Sequence, residues 1–317
     1  MRFRTLFLLF KSARPRQWLK NVALFAPIFF SGFLFYNPTD GPAYFWVVSF
    51  AVVIFCLLTS SIYLINDVVD AKEDARHPFK KKRPIASGQL SKSQGLRFAG
   101  LGLLLVFYLS MALPIFFRLL LLAYLALQIL YATNLKHLTI FDVVSIATGF
   151  LIRIYAGAVV VDLHMSVWFL LTVVSASLFL AVGKRQSERT LLQEQEVSFA
   201  RKTLKNYSQR LLDQYTGMFA NATWLTYALF SFQHEVDYIT PAAQRFPAIY
   251  VLLPRTLQSQ KLLMLTLPFV IFGVMRYLQL VYEENQGESP ERVLLKDRML
   301  LTTVFLFGLV AFFVIYA

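Results

Sequence analysis

The sequence predicts an all-α integral membrane protein, a bundle of about nine transmembrane helices. Three observations predict it. The 317 residues are 57% hydrophobic and only 15% charged, where a soluble domain carries roughly 25% charged residues. Apolar segments recur along the whole chain, each near the roughly 20 residues that a helix needs to cross lipid. The loops between them alternate between rich and poor in Lys and Arg.

The elements follow in order. The first 17 residues carry Arg2, Arg4, Lys11, Arg14 and Arg16 around the short apolar run Leu6–Phe10. That run is too short for the apolar part of a signal peptide, so the stretch reads as an interfacial basic segment. Apolar segments then cover 18–36, 43–66, 93–113, 115–133, 140–160, 166–184, 214–233, 261–282 and 299–316. Backbone groups in lipid must be satisfied within the segment, so each is expected to be helical. Together they read as one domain over 1–317, with cytoplasmic loops at about 67–92, 134–139, 185–213 and 283–298. These loops hold most of the Lys and Arg. The positive-inside rule then puts the N-terminus in the cytoplasm and the C-terminus outside.

The same alternation accounts for much of the net charge of +13 without a nucleic-acid partner. The acids need a further reason, because topology does not require them. The lone cysteine, Cys56, lies in an apolar run and reads as a packed thiol. The histidines 77, 137, 164 and 234 are scattered and suggest no metal cluster. No Walker loop, nucleophile elbow or metalloprotease helix is present.

The chemistry concentrates in YLINDVVDAKEDARHPFKKKRPIASG, residues 63–88. Asp67, Asp70 and Asp74 fall at i, i+3 and i+7, on one face if the helix continues. Three like charges on one stripe repel unless a cation neutralises them. Mg²⁺ takes one or two carboxylates together with phosphate oxygens and water, so these three are candidate metal ligands and catalytic residues. Asn66 lies beside them. The alternative is a solvated helix end with casual acids. Lys80 and Arg83 follow as phosphate contacts, Arg83 fixed by Pro84.

Helix 140–160 carries Asp142 and Arg153, eleven residues and about three turns apart. Arg153 sits at mid-helix, where an ionisable side chain usually faces a bundle interior or an aqueous cavity. Asp142 is a candidate second acidic site. Further candidates are Arg14, Arg16, Lys20 and Asn21 in RPRQWLKN, Tyr131 and Lys136 in YATNLK, and Lys184, Arg185 and Glu188 in GKRQSE. Lys184 and Glu188 form an i, i+4 pair. Arg276 reads as a snorkelling side chain.

These motifs resemble the UbiA-type membrane prenyltransferase superfamily. NDVVDAKED is similar to its first Asp-rich motif. RPRQWLKN, RHPFKKKRPIASG, DVVSIATGFLIRIYAGAV, GKRQSE and SPERVLLKDRML resemble, in the same order, its decaprenyl-phosphate phosphoribosyltransferase branch. One departure is that Asp142 is followed by Ser145 and Ile146 rather than by a second acid. The resemblance implies a UbiA-like bundle with its active site at the cytoplasmic mouth, in a bacterial plasma membrane. It implies Mg²⁺ as cofactor, 5-phosphoribosyl 1-diphosphate as donor and a polyprenyl phosphate lipid as acceptor. In that reaction Asp142 would stabilise charge on the ribose, and Arg153 or Lys136 would position the acceptor phosphate. Self-association into a homo-oligomer is compatible with all of this. Two other functions stay open: a UbiA-type transfer of a polyprenyl group to an aromatic ring, and an organic-anion transporter.

Overall fold

The longest apolar helix, Tyr44–Val69, has 26 residues. At 1.5 Å per residue it measures about 39 Å, against a hydrocarbon core of about 30 Å. The surplus of about 9 Å accommodates two polar turns, and Asn66 and Asp67 occupy the last of them.

A computed structural model of the chain describes residues 3–39, 41–76, 80–195, 207–234, 261–284 and 290–316. Helix α1 (Phe3–Ser12) leads into a 3-10 segment, Pro15–Phe25, and the short α2 (Ala26–Phe30). The long helix above is α3, followed by α4 (Ala71–Arg76), α5 (Lys92–Ser110), α6 (Ile115–Thr133), α7 (Phe141–Val159), α8 (Val167–Gln195) and α9 (Gln209–Gln233). Then come α10 (Leu267–Tyr282), α11 (Pro290–Lys296) and α12 (Arg298–Tyr316). No strand occurs among the described residues.

Seven helices among the described residues are long and apolar enough to cross a membrane: α3, α5, α6, α7, Val167–Arg189 of α8, Leu262–Tyr282 and α12. Two of the nine expected segments lie outside these seven. Segment 18–36 is divided: the 3-10 helix Pro15–Phe25 gives way to the five-residue α2, which holds Pro27. Segment 214–233 lies within α9, which is helical throughout but carries Gln, Asn, Thr and Ser along its length.

The chain forms two compact units: 1–27, 36–138 and 152–163, and 28–35, 139–151 and 164–317. In the first, α3 packs on α5, on the 3-10 segment and on α1. Helices in lipid gain no hydrophobic drive from one another, so close approach of small residues matters more. A side chain at Gly102 would bring its Cβ within 2.2 Å of Ser61 Oγ, and one at Gly157 within 1.9 Å of the Leu24 carbonyl oxygen. Ser91 caps α5 with a capping box to Gln94. Leu9 and Leu64 pack with Ala71, Ile85, Leu90 and Ala99. The basic N-terminal segment is thus a helix with one buried side, while Phe7 and Phe10 stay exposed.

In the second unit, α8 pairs with α9, and α10 packs against α8, α9 and α12. Its core includes Phe179, Ala220, Tyr277, Leu280 and Leu300. The Tyr316 hydroxyl donates to the carbonyls of Ile28 and Phe29 at 3.1 and 2.7 Å.

Candidate active site

In the first unit two buried carboxylates converge on one cation. Arg83 Nη1 lies 3.3 Å from Asp67 Oδ1, and the same nitrogen donates to Asp74 Oδ2. Asp67 also accepts from Arg14 Nη2, and Lys80 Nζ stands 4.0 Å from Asp74 Oδ1. Asp67 and Asp74 are 2% and 3% exposed. The local sequence explains the convergence. Pro84 restricts the backbone of Arg83, and Ile85 anchors the strap by packing with Leu64 of α3. Arg14 is held from the other side. Its left-handed backbone turns the chain between α1 and the 3-10 segment, and its guanidinium stacks 4.8 Å over the Tyr63 ring. Trp18 Nε1 donates to Ser60 Oγ at 3.0 Å, fixing the same turn to α3.

The three-aspartate stripe is not kept. Helix α3 ends at Val69, and Asp70 takes φ −82, ψ 0 as its cap before α4 begins. Asp70 is half-buried and forms no ion pair among the described residues, and no three Asp, Glu, His or Cys side chains there are grouped to hold a metal. Asp67 and Asp74 remain the converging pair. Two hard oxygen donors around one cationic nitrogen fit a divalent ion that takes its other ligands from phosphate and water.

A second polar cluster of this unit surrounds Arg153, which is 5% exposed. Its Nε donates to Asn21 Oδ1 at 2.9 Å and its Nη2 to the Tyr124 hydroxyl at 2.6 Å, with the guanidinium 4.7 Å over the Tyr124 ring. Asn21 Nδ2 in turn approaches Thr59 Oγ1 and Cys56 Sγ, both at 3.3 Å. Cys56 is therefore half-buried and hydrogen-bonded rather than simply packed. Thr59 precedes Asp67 by eight residues of α3, about 12 Å along the helix. Arg153 thus engages α3 well inside the bundle.

In the second unit Asp142 lies in the first turn of α7, where the helix dipole favours an acid. It is 1% exposed. Arg185 Nε pairs with Asp142 Oδ2 at 3.0 Å, and Arg185 Nη1 donates to Glu188 Oε2. Lys184 Nζ is 4.0 Å from Glu188 Oε1, the i, i+4 pair that spacing predicts. The Tyr207 hydroxyl donates to Asp142 Oδ1 at 2.7 Å and accepts from the Ile140 N–H at 2.7 Å. Burial, and then the bond to Asp142, raise the Tyr207 phenol above its ordinary range, so it stays a donor.

The structure therefore groups Asp67, Asp74, Lys80 and Arg83, pairs Asn21 with Arg153, and groups Asp142, Lys184, Arg185 and Glu188. Lys20, Asn66, Tyr131 and Lys136 are half-buried. Arg276, read as a snorkelling side chain, pairs with Asp297 Oδ2 at 2.6 Å and Glu284 Oε1 at 3.0 Å. Three side chains were not among the candidates: Tyr124, Thr59 and Tyr207. Arg14, a candidate in RPRQWLKN, is brought onto Asp67.

Known proteins agree with this architecture. A decaprenyl-phosphate phosphoribosyltransferase of Mycolicibacterium smegmatis is 36% identical over 296 residues, 92% of this chain and 87% of that protein. The one from Corynebacterium glutamicum is 33% identical over 302 residues, 92% of this chain and 81% of that protein. A UbiA homolog from Archaeoglobus fulgidus, solved bound to GPP and Mg²⁺, superimposes with a TM-score of 0.66. It covers 97% of this chain and 99% of its own at 15% identity, and so bears on the fold alone. The family match itself runs over residues 24–296, and the chain, a multi-pass membrane protein, belongs to the UbiA prenyltransferase family.

Proposed function

We propose that the chain transfers a 5-phosphoribosyl group from 5-phosphoribosyl 1-diphosphate to a polyprenyl phosphate, releasing diphosphate. The relatives named for that activity, similar over nine-tenths of this chain, support the choice of group. The observation that carries the chemistry is the pair of buried carboxylates, Asp67 and Asp74, gathered on one guanidinium nitrogen. Buried charges persist only when compensated, and a diphosphate site needs a cation that can change partners.

In this reading Asp67 and Asp74 would hold Mg²⁺, with Asp70 and Asn66 nearby in the same stretch. The ion would supply Lewis-acid neutralisation of the leaving diphosphate. Arg83 and Arg14, released from the carboxylates, turn to phosphate oxygens, for which the guanidinium fork suits them. Lys80, Lys20 and Lys184 add point charges for the remaining phosphates. The bond from ribose C1 to the diphosphate oxygen breaks and its electron pair leaves with diphosphate. An oxygen of the acceptor phosphate forms the new bond to C1. That phosphate is already an anion, so no general base is required. Asp142 stabilises the positive charge that develops on the ribose, with Arg185 and Glu188 fixing it. Lys136 and Arg153 position the acceptor, and Tyr131 lines its approach. The reaction takes place on the cytoplasmic face of a bacterial plasma membrane, with the N-terminus on that side and the C-terminus outside. It feeds cell-envelope glycan synthesis.

The test is direct. Purified protein with Mg²⁺, the phosphoribosyl donor and polyprenyl phosphates of several lengths is expected to release diphosphate and yield a lipid-linked phosphoribose by mass spectrometry. Folded protein that gives no such product at any length overturns the reading. So does transfer of a prenyl group from its diphosphate to an aromatic ring instead.

A further inference from the structure

The geometry points to Tyr207 as a positioning residue that aims the Asp142 carboxylate. The inference rests on the reading of Asp142 as the carboxylate that serves the ribose.

Local sequence explains how Tyr207 comes to be there. Ser208 caps α9 by accepting from the Leu211 N–H at 3.1 Å. Tyr207 therefore occupies the position before the cap, and Leu212 the fourth helical position. Both are fully buried and lie in one cluster with Val143 and Val182. This is a hydrophobic staple, which fixes the angle at which the chain joins a helix. The ring is thus held by packing, and the hydroxyl is left to do something else.

The hydroxyl bridges two groups at the start of α7. Ile140 has φ 75, an outlier and a strained conformation for a β-branched residue. Its carbonyl accepts the first bonds of α7, from Val143 and Val144, while its N–H points out of the helix to Tyr207 Oη. That N–H occupies a lone pair of the phenol oxygen and so sets the direction of the phenol hydrogen. The hydrogen goes to Asp142 Oδ1. The other oxygen, Oδ2, is ion-paired with Arg185 Nε at 3.0 Å, which does not meet it in hydrogen-bond geometry. The hydrogen bond from Tyr207 is therefore the directional contact that sets the carboxylate plane, and Arg185 supplies the charge. A purely structural tyrosine needs only the ring, and the left-handed Ile140 then has no compensation at its N–H.

The experiment uses the full-length protein in nanodiscs. Tyr207→Phe keeps the staple and removes the bridge. Hydrogen exchange of the peptide spanning Ile140–Val143 is read first, independently of any activity. It is expected to speed up about tenfold in the Phe variant, with the peptides of α9 unchanged. Unchanged exchange at that peptide overturns the inference. Kinetics follow with whichever donor the wild type turns over, which separates a failure here from a failure of the phosphoribosyl reading. Tyr207→Phe is expected to lower kcat about ten- to a hundredfold with KM for the donor held within about twofold. In an Asp142→Asn background the same change is expected to have little further effect, because the carboxylate it aims is gone. Undiminished loss in that background overturns the positioning role. If Tyr207→Phe folds poorly, Ile140→Gly carries the test. It relieves the left-handed strain and keeps the N–H, so it is expected to retain kcat; loss of kcat with a native melting profile overturns the inference.

Discussion

Arg83 in the first unit and Arg185 in the second each bridge two carboxylates, but their surroundings differ. The Arg83 side chain keeps 27% exposure and joins two buried partners, Asp67 and Asp74. The Arg185 side chain has 0% exposure and joins Asp142 at 1% to Glu188 at 19%. Partial exposure lets a guanidinium turn from a carboxylate to water or phosphate without itself being stranded. A fully buried guanidinium cannot leave without stranding an ion in low dielectric. The carboxylates at Arg83 also have substitutes at hand in Arg14 and Lys80. The first bridge can therefore open at smaller cost than the second, and the lesson is that the same pair of residue types differs in freedom according to solvent access and the counter-ions at hand.

Breaking the held bridge is expected to have the largest effect. Arg185→Met leaves Asp142 buried beside a thioether. It should lower the unfolding free energy in mixed detergent by about 3–5 kcal/mol. A loss no greater than that of Arg83→Met would erase the difference between the two bridges.

Metal loading comes next. If the Arg83 bridge opens for a divalent ion, Mg²⁺ with diphosphate at a hundred times its Kd should stabilise the wild type by about 2.7 kcal/mol. Asp67→Asn should abolish that gain, whereas Glu188→Gln, at the held bridge, should leave it intact. Thermal shift with and without chelator reads both. Equal stabilisation of the Asp67→Asn protein would place the ion elsewhere.

Arg83→Met then sharpens the contrast. With Arg14 and Lys80 remaining, the stability loss should stay near 1 kcal/mol. The KM for the donor should rise about tenfold, or about 1.4 kcal/mol, through the lost phosphate contact.

The two bridges also differ in how far the sequence reveals them. Asp67, Asp74, Lys80 and Arg83 come from one stretch of the chain, so charge order and spacing alone draw them together. Lys184 and Glu188 are equally local. The break at Asp70 was hidden, because nothing in NDVVDAKED stops a helix and the turn comes from packing of the strap. Arg14 reaches Asp67 across 53 residues and Tyr207 reaches Asp142 across 65. No periodicity reports contacts at such separations. The apolar segments were plain wherever hydropathy alone sets the element, as in α3 and α12. Segment 18–36 is apolar yet divided between a 3-10 helix and the five-residue α2 that holds Pro27, which hydropathy does not report.

A third arginine bridge, whose Arg276 side chain is 14% exposed, yields the smallest expected effect. Arg276 pairs with Glu284 and Asp297. Asp297 also caps α12, accepting from the Leu300 N–H at 2.7 Å. The hydrogen bond from Arg276 holds the Asp297 carboxyl below the usual carboxylate range. A carboxyl depressed in the folded state stabilises the fold above its unfolded pKa, and that contribution is lost as pH falls through the folded pKa. Asp297→Asn separates charge from capping, since Asn caps a helix about as well as Asp. At neutral pH the variant should melt slightly below the wild type. Below the ordinary aspartate range the two melting curves should converge, because protonation removes from the wild type the charge that the variant already lacks. Melting curves that coincide at every pH would mean that Asp297 acts through its cap alone, which Asn supplies equally. The pairing with Arg276 would then be a contact without energetic weight.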